Sequence, residues 1–190
     1  MGMEAQQFLR KMGGKTLFLI LKAKGYLMVC AAIWCSGNTE IYQMSRDEAS
    51  TGRGFSSQSY LELIRDYLPV IWRPGMEFMQ DNAPIHTAKI IKNWFCEQGI
   101  SLMDWPPYSP DLNPIEHAWA KLKEHIYLIH PELESFSGTK KQLKELLFKA
   151  MEDAWKSLGQ EFFDGLVRSM DNVSMQFWRQ KGSMPTTSVN

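Results

Sequence analysis

The sequence predicts an α/β domain, a mixed sheet flanked by helices, and three features lead there. Strand and helix patterns alternate between residues 77 and 126, as they do when parallel strands are joined by helical crossovers. Two apolar runs, Lys15–Lys24 and Tyr26–Cys35, precede that alternation and are broken at Gly25. Two further stretches, near 139–158 and 160–179, carry apolar residues at helical spacing.

The Tyr26–Cys35 run is apolar throughout, so it belongs in the middle of a sheet covered on both faces. Ser36-Gly37-Asn38 signals a turn and Thr39–Met44 a short returning strand, which together form a hairpin. Asp47–Phe55 is rich in Ser, Thr and Gly and reads as a loop. Ser56–Leu68 places Tyr60, Leu61, Ile64 and Leu68 on one helical face. Glu77–Gln80 is a brief strand. Thr87–Gln98 is a helix with Ile90, Ile91, Trp94 and Phe95 on one side, closed by Gly99. Ile100–Trp105 is expected to run parallel to the Glu77 strand and to lead into the loop Pro106–Pro110. That loop could serve as an SH3-type ligand, but a rigid loop that positions Glu116 is the better reading. Leu143, Leu146, Leu147, Ala150 and Ala154 mark one late helix, and Phe162, Phe163, Leu166, Val167 and Met170 the other.

With 190 residues the chain suits one domain: a weakly patterned segment 1–14, a core 15–182 and a polar tail 183–190. Hydrophobic residues are 44% and aromatics 12%, which excludes a disordered chain, and seven tryptophans point to a filled interior. Lys and Arg number 21, as do Asp and Glu, so any contact with nucleic acid must rest on a local patch rather than a basic excess. Cys30, Cys35 and Cys96 have no zinc-like spacing and read as reduced, buried small hydrophobes; strand parity sends Cys30 and Cys35 to opposite faces. Lys22 and Lys24 interrupt Leu17–Cys35 into pieces too short to span a bilayer, and Leu17–Leu21 is too short for a signal peptide's apolar core. A soluble, intracellular chain without membrane contact is expected.

Two carboxylates carry the chemistry. Asp81 lies where the Glu77 strand leaves the sheet, the usual place for ligand groups in open α/β folds. It equally suits a turn or cap before Pro84. Asn113 and Pro114 look like an N-cap and first helical residue, with Ile115, Ala118, Trp119, Leu122 and Ile126 as the buried stripe. Glu116 is then the third helical residue, open both to a ligand role and to a capping-box role toward the Asn113 amide. His86 fits orientation of a neighbour, a phosphate contact or a plain helix cap; Asp111 and Asn113 fit a turn better than a metal. A strand-end and a helix-start carboxylate together suit divalent metal and phosphoryl transfer.

The segment Gln80-Asp-Asn-Ala-Pro-Ile-His-Thr-Ala88, together with Trp105-Pro-Pro-Tyr-Ser-Pro-Asp-Leu-Asn-Pro-Ile-Glu116, resembles the catalytic core of Tc/mariner-type DDE transposases. The thirty-four residues between Asp81 and Glu116 match one of that superfamily's acid spacings, and weaker resemblance covers about 25–182. It implies a ribonuclease-H-like fold in which three acids hold two Mg²⁺ or Mn²⁺ ions that activate water, then a DNA 3′-hydroxyl. Asp81 would be the second acid and Glu116 the third. The family's first acid sits on the opening strand, yet Lys15–Met28 holds no Asp or Glu. The first strand is therefore expected to be missing or replaced, and the chain to be an N-terminally truncated core with weakened metal binding and little activity. Glu40 or Asp47 as a substitute ligand is disfavoured. The resemblance further implies transposon-end DNA as partner, pairing with itself or a full-length transposase, and a nuclear location; the competing reading is a non-catalytic remnant for DNA binding or transposase pairing.

Overall fold

In the computed structural model, the described residues are 15–23, 27–50, 52, 54–74, 76–103 and 114–169, with β1 and residues 114 and 115 described by their backbone alone. Expectations resting on 104–113, including the Pro106–Pro110 loop and the Asp111 and Asn113 turn, and on 170–190 lie outside them.

Strand β1 (Lys15–Ala23) pairs antiparallel with β2 (Leu27–Trp34) along its length, from Thr16 opposite Trp34 to Ala23 opposite Leu27. The apolar β2 is buried from Leu27 to Ile33 and does lie inside the sheet, flanked by β1 on one side and by β3 (Gly37–Asn38) and β4 (Tyr42–Gln43) on the other. On the far side of β1, β5 (Glu77–Met79) runs parallel to it, with Leu17 opposite Met79. Beyond β5, the expected Ile100 strand is reduced to a single parallel bridge between Phe78 and Leu102, supported by Phe78 N–H to the Ser101 carbonyl at 2.9 Å and Met103 N–H to the Phe78 carbonyl at 2.8 Å. Position, direction and neighbour match the expectation; the described part is shorter.

The hairpin turn falls one residue earlier than expected. Cys35 and Ser36 make it, with Ser36 at φ 66°, and Gly37 belongs to β3. Trp34 explains the shift: a Cβ on Gly37 would meet the indole at 2.3 Å, so glycine is needed in the strand for the ring to lie over it. Between β3 and β4 the ladder is interrupted at Thr39. Its N–H donates to the Ala32 carbonyl at 2.9 Å, while its hydroxyl accepts from Ala32 N–H at 2.9 Å and donates to the Glu40 carbonyl at 2.7 Å. A side chain thus stands in for a backbone acceptor deep in the sheet.

Helices cover both faces. α1 (Ser57–Ile71) starts at a capping box between Ser56 and Ser59. The short α2 (Pro84–Thr87) and α3 (Lys89–Glu97) follow β5, and α4 (Pro114–Ile129), α5 (Lys140–Ser157) and helical residues 160–169, α6, complete the order. Strand parity sorts the core. Met28, Cys30 and Ala32 pack with Tyr60, Leu61, Ile64 and Leu68 of α1 and with Ile91, Trp94 and Phe95 of α3. Leu27, Val29, Ala31 and Ile33 pack with Ala118, Trp119, Leu122 and Ile126 of α4, and with Ala154, Trp155, Phe163 and Val167 of α5 and α6. Trp155 ties that layer to the sheet, its indole N–H donating to the Thr39 carbonyl at 2.8 Å.

Two expectations about α3 need correcting. The helix pattern from Thr87 is broken at Ala88, whose ψ of 145° is extended, so α2 and α3 are separate. Ile90 is 40% exposed, because the stripe is set by Ile91, Trp94 and Phe95, and a residue one step before Ile91 turns about 100° away. The same rotation exposes Cys96, against the expectation of burial, and Cys35 is half-buried. All three thiols are free, and Cys30 and Cys35 do pack on opposite faces. Burial pushes the Cys30 thiol pKa far up, which keeps it an inert thiol. Gly99 closes α3 with φ 64°, as its sequence position implies.

Candidate metal centre

Asp81 follows β5 by two residues, at the end where the chain leaves the sheet. Its Oδ1 accepts from the Ala83 N–H at 3.0 Å, a turn that launches α2, and from His86 Nδ1 in a short contact. The turn and orienting-histidine readings therefore hold at once, while α2 itself, with Ala83 at its N-cap, receives no side-chain cap. Oδ2 has no hydrogen-bond partner among the described residues, and the side chain is 54% exposed. Burial raises the carboxyl pKa, but the His86 hydrogen bond and charge and the Ala83 amide outweigh it, leaving the group below the usual carboxylate range. The carboxylate is thus ionised at neutral pH, as a metal ligand must be.

Around Asp81 the elements are tied together. Tyr60 from α1 donates its hydroxyl to Gln80 Oε1 at 2.6 Å, and the Gln80 amide donates to the His86 carbonyl at 3.3 Å. Burial first, then the nearby Cys30 and Asp81, pushes the Tyr60 pKa well up, so its hydroxyl is a donor here. The Tyr60 and His86 rings lie 4.6 Å apart. Sequence patterning gave Tyr60 a core position; nothing in its spacing revealed the contact with Gln80.

Glu116 is the third residue of α4, as expected, in the first turn where a carboxylate complements the helix N-terminus. It is exposed, and it makes no hydrogen bond to any described residue. Its capping-box alternative involves Asn113, outside the described residues. Met79, two residues before Asp81, shares a core cluster with Ala118 and Trp119 of α4, so the end of β5 and the first turns of α4 pack on one face of the sheet. Among the described residues no group of three or more His, Cys, Asp or Glu side chains is placed to hold a metal ion.

The two disfavoured substitutes have other surroundings. Asp47 organises its own loop, accepting from the Ala49 and Ser50 amides and from the Ser56 hydroxyl. Glu40 is exposed beside β4, flanked by Thr39 and Ile41. No helix among the described residues is long and apolar enough to cross a membrane.

A family model described as DDE superfamily endonuclease matches residues 25–137. The chain is 33% identical over 160 residues to the transposable element Tc3 transposase of Caenorhabditis elegans, covering 84% of this chain and 45% of that protein. It is 37% identical over 93 residues to the Tcb2 transposase of Caenorhabditis briggsae, covering 49% of this chain and 30% of that protein. The chain thus spans less than half the length of these relatives. In structure it is similar to the Mos1 transposase catalytic domain with raltegravir and Mn, at TM-score 0.60 and 18% identity, covering 94% of this chain and 89% of the other. The catalytic domain of the Mos1 mariner transposase gives TM-score 0.56 with the same identity. These neighbours establish the ribonuclease-H-like fold.

Proposed function

We propose that this chain, which belongs to the DDE superfamily endonucleases of the Tc/mariner type, derives from a transposase catalytic domain in which Asp81 and Glu116 are two of three metal-holding acids, and that it cleaves DNA poorly or not at all because the first acid is lacking. The observation that carries this is the strand beside β5. β1 lies between β2 and β5 in the sheet, and none of its nine residues is acidic. The strand is replaced in composition rather than absent in place.

Asp81 would offer Oδ2, and Glu116 its carboxylate from the first turn of α4. All-oxygen donors suit hard Mg²⁺ or Mn²⁺ rather than zinc. Such ions, if held there by Asp81 and Glu116, would supply Lewis-acid stabilisation of charge in phosphoryl transfer. Two carboxylates would bring charge −2 against +4, so a second ion would be held weakly. Among the described residues no third acid completes a two-ion site.

Transposon-end DNA is the expected partner, in a nuclear setting. Zero net charge favours a second reading, a non-catalytic module that acts by pairing with itself or with a full-length transposase, because phosphate-backbone affinity comes mainly from Lys and Arg. A shallow salt slope in gel-shift titrations supports that second reading.

The test is cleavage of terminal-repeat DNA in Mn²⁺ by the purified chain. Little or no product is expected. Leu17 pairs with Met79, so position 19, two residues along β1, stands level with Asp81, two residues beyond β5. Leu19→Asp is expected to introduce cutting that Asp81→Ala abolishes. Robust cutting by the unaltered chain, lost in Asp81→Ala, would overturn the claim of a missing acid.

A further inference from the structure

His86 is 3% exposed, and its Nε2 is buried with no hydrogen-bond partner among the described residues. A phenyl ring in that place would fill the same space against Tyr60 without burying an unsatisfied nitrogen, whose desolvation is costly. What imidazole alone adds is Nδ1 as a donor to Asp81 Oδ1. The Ala83 amide already makes the local turn with that same oxygen, so the turn does not need the histidine. The histidine is itself seated by Gln80 and Tyr60, which fix the α2 backbone and the ring face.

We propose that His86 is a positioning residue for the metal centre: with the Ala83 amide it saturates Oδ1 of Asp81, fixes the carboxylate plane and leaves Oδ2 as the single oxygen presented to a divalent cation. This rests on reading Asp81 as a metal ligand. It makes the Asp81 ligation monodentate. It also makes Tyr60 and Gln80 the outer supports of the same device, and such supports govern affinity by holding a ligand in its productive orientation.

The experiment is a Mn²⁺ titration of the ¹⁵N-labelled chain, following paramagnetic broadening of the amide signals of residues 79–83 alongside thermal melting. His86→Phe is expected to raise the half-saturating Mn²⁺ concentration about tenfold or more while melting no lower than the unaltered protein. His86→Asn, whose amide nitrogen stands near the place of Nδ1, is expected to stay within about threefold, the rescue that a purely space-filling role would not give. Asp81→Asn is expected to abolish the broadening. Broadening lost in Asp81→Asn but within twofold of the original in His86→Phe overturns the positioning role alone. Broadening that survives Asp81→Asn, or that never occurs, overturns the reading of Asp81 as a ligand and the positioning role with it. If His86→Phe does not fold, long-range ¹H–¹⁵N spectra of the unaltered chain decide: a proton on Nδ1, shifted by Mg²⁺, supports the role, and a ring that carries its proton on Nε2 alone, with none on Nδ1, overturns it.

Discussion

Replacing Thr39 with valine isolates one buried hydrogen-bond arrangement at nearly constant volume. Thr39 is 7% exposed and Ala32 fully buried, so water cannot take over when the hydroxyl goes. The Ala32 N–H then loses its acceptor at 2.9 Å, an orphaned donor that costs about 1–3 kcal/mol. The Glu40 carbonyl also loses a donor, but Glu40 is exposed and solvent replaces it. The net expectation is a loss of about 2 kcal/mol, or about 4–8 °C in Tm for a domain of this size. Thr39→Ser keeps the hydroxyl and gives up one methyl, at about 0.8 kcal/mol. Urea denaturation of both variants should therefore rank serine above valine, opposite to the order from hydrophobicity. Valine at or above serine would refute the role of the hydroxyl in closing the sheet.

Trp155→Phe removes the donor to the Thr39 carbonyl and thins the packing against Phe163, whose ring centroid lies 4.4 Å away; a loss of about 2–4 kcal/mol is expected by chemical denaturation, and a near-neutral result would refute the anchoring of α5. His130 sets a pH dependence, because its two ring nitrogens face Glu132 at 2.8 Å and Asp153 at 3.1 Å, an arrangement only the imidazolium satisfies on both sides. The Glu132 hydrogen bond leads in raising its pKa, with Asp153 helping and burial opposing. The raised folded-state value means the stabilisation is complete below the ordinary histidine range and fades as pH rises through the raised value. His130 also lowers the Glu132 pKa, so the contact persists into mild acid. His130→Gln should therefore cost more stability at pH 6 than at pH 8.5, and equal losses at both would count against it.

Where periodicity and local chemistry agree, the sequence was legible. β2 reads as a two-faced central strand because every residue from Leu27 to Ile33 is apolar; α1 buries the stripe its spacing implies, as does α4 at Ala118, Trp119, Leu122 and Ile126. Gly99 marked the end of α3 because only a residue at ease with positive φ fits there. Boundaries failed where long-range contacts decide them. Gly37 looked like a turn residue, yet the Trp34 ring claims the space above it and draws it into β3. Ala88 gave no helix-breaking signal, and Ile90 and Cys96 looked buried by residue type although helix rotation exposes them. At the site, Asp81 and Glu116 were visible as acids in distinctive contexts. The support of Asp81 by His86, Gln80 and Tyr60 joins residues up to 26 positions apart (Tyr60 and His86) and arises from the packing of α1 against the β5 end.

Anomalous diffraction from crystals grown in Mn²⁺ bears most directly on the two-acid centre. A shared ion requires a carboxylate oxygen of Asp81 and one of Glu116 within about 4 Å of each other, so one peak between Asp81 Oδ2 and Glu116, with Oδ1 still on His86, is expected. Carboxylates too far apart to share an ion, with Mn²⁺ bound at neither, would contradict a metal centre built on these residues.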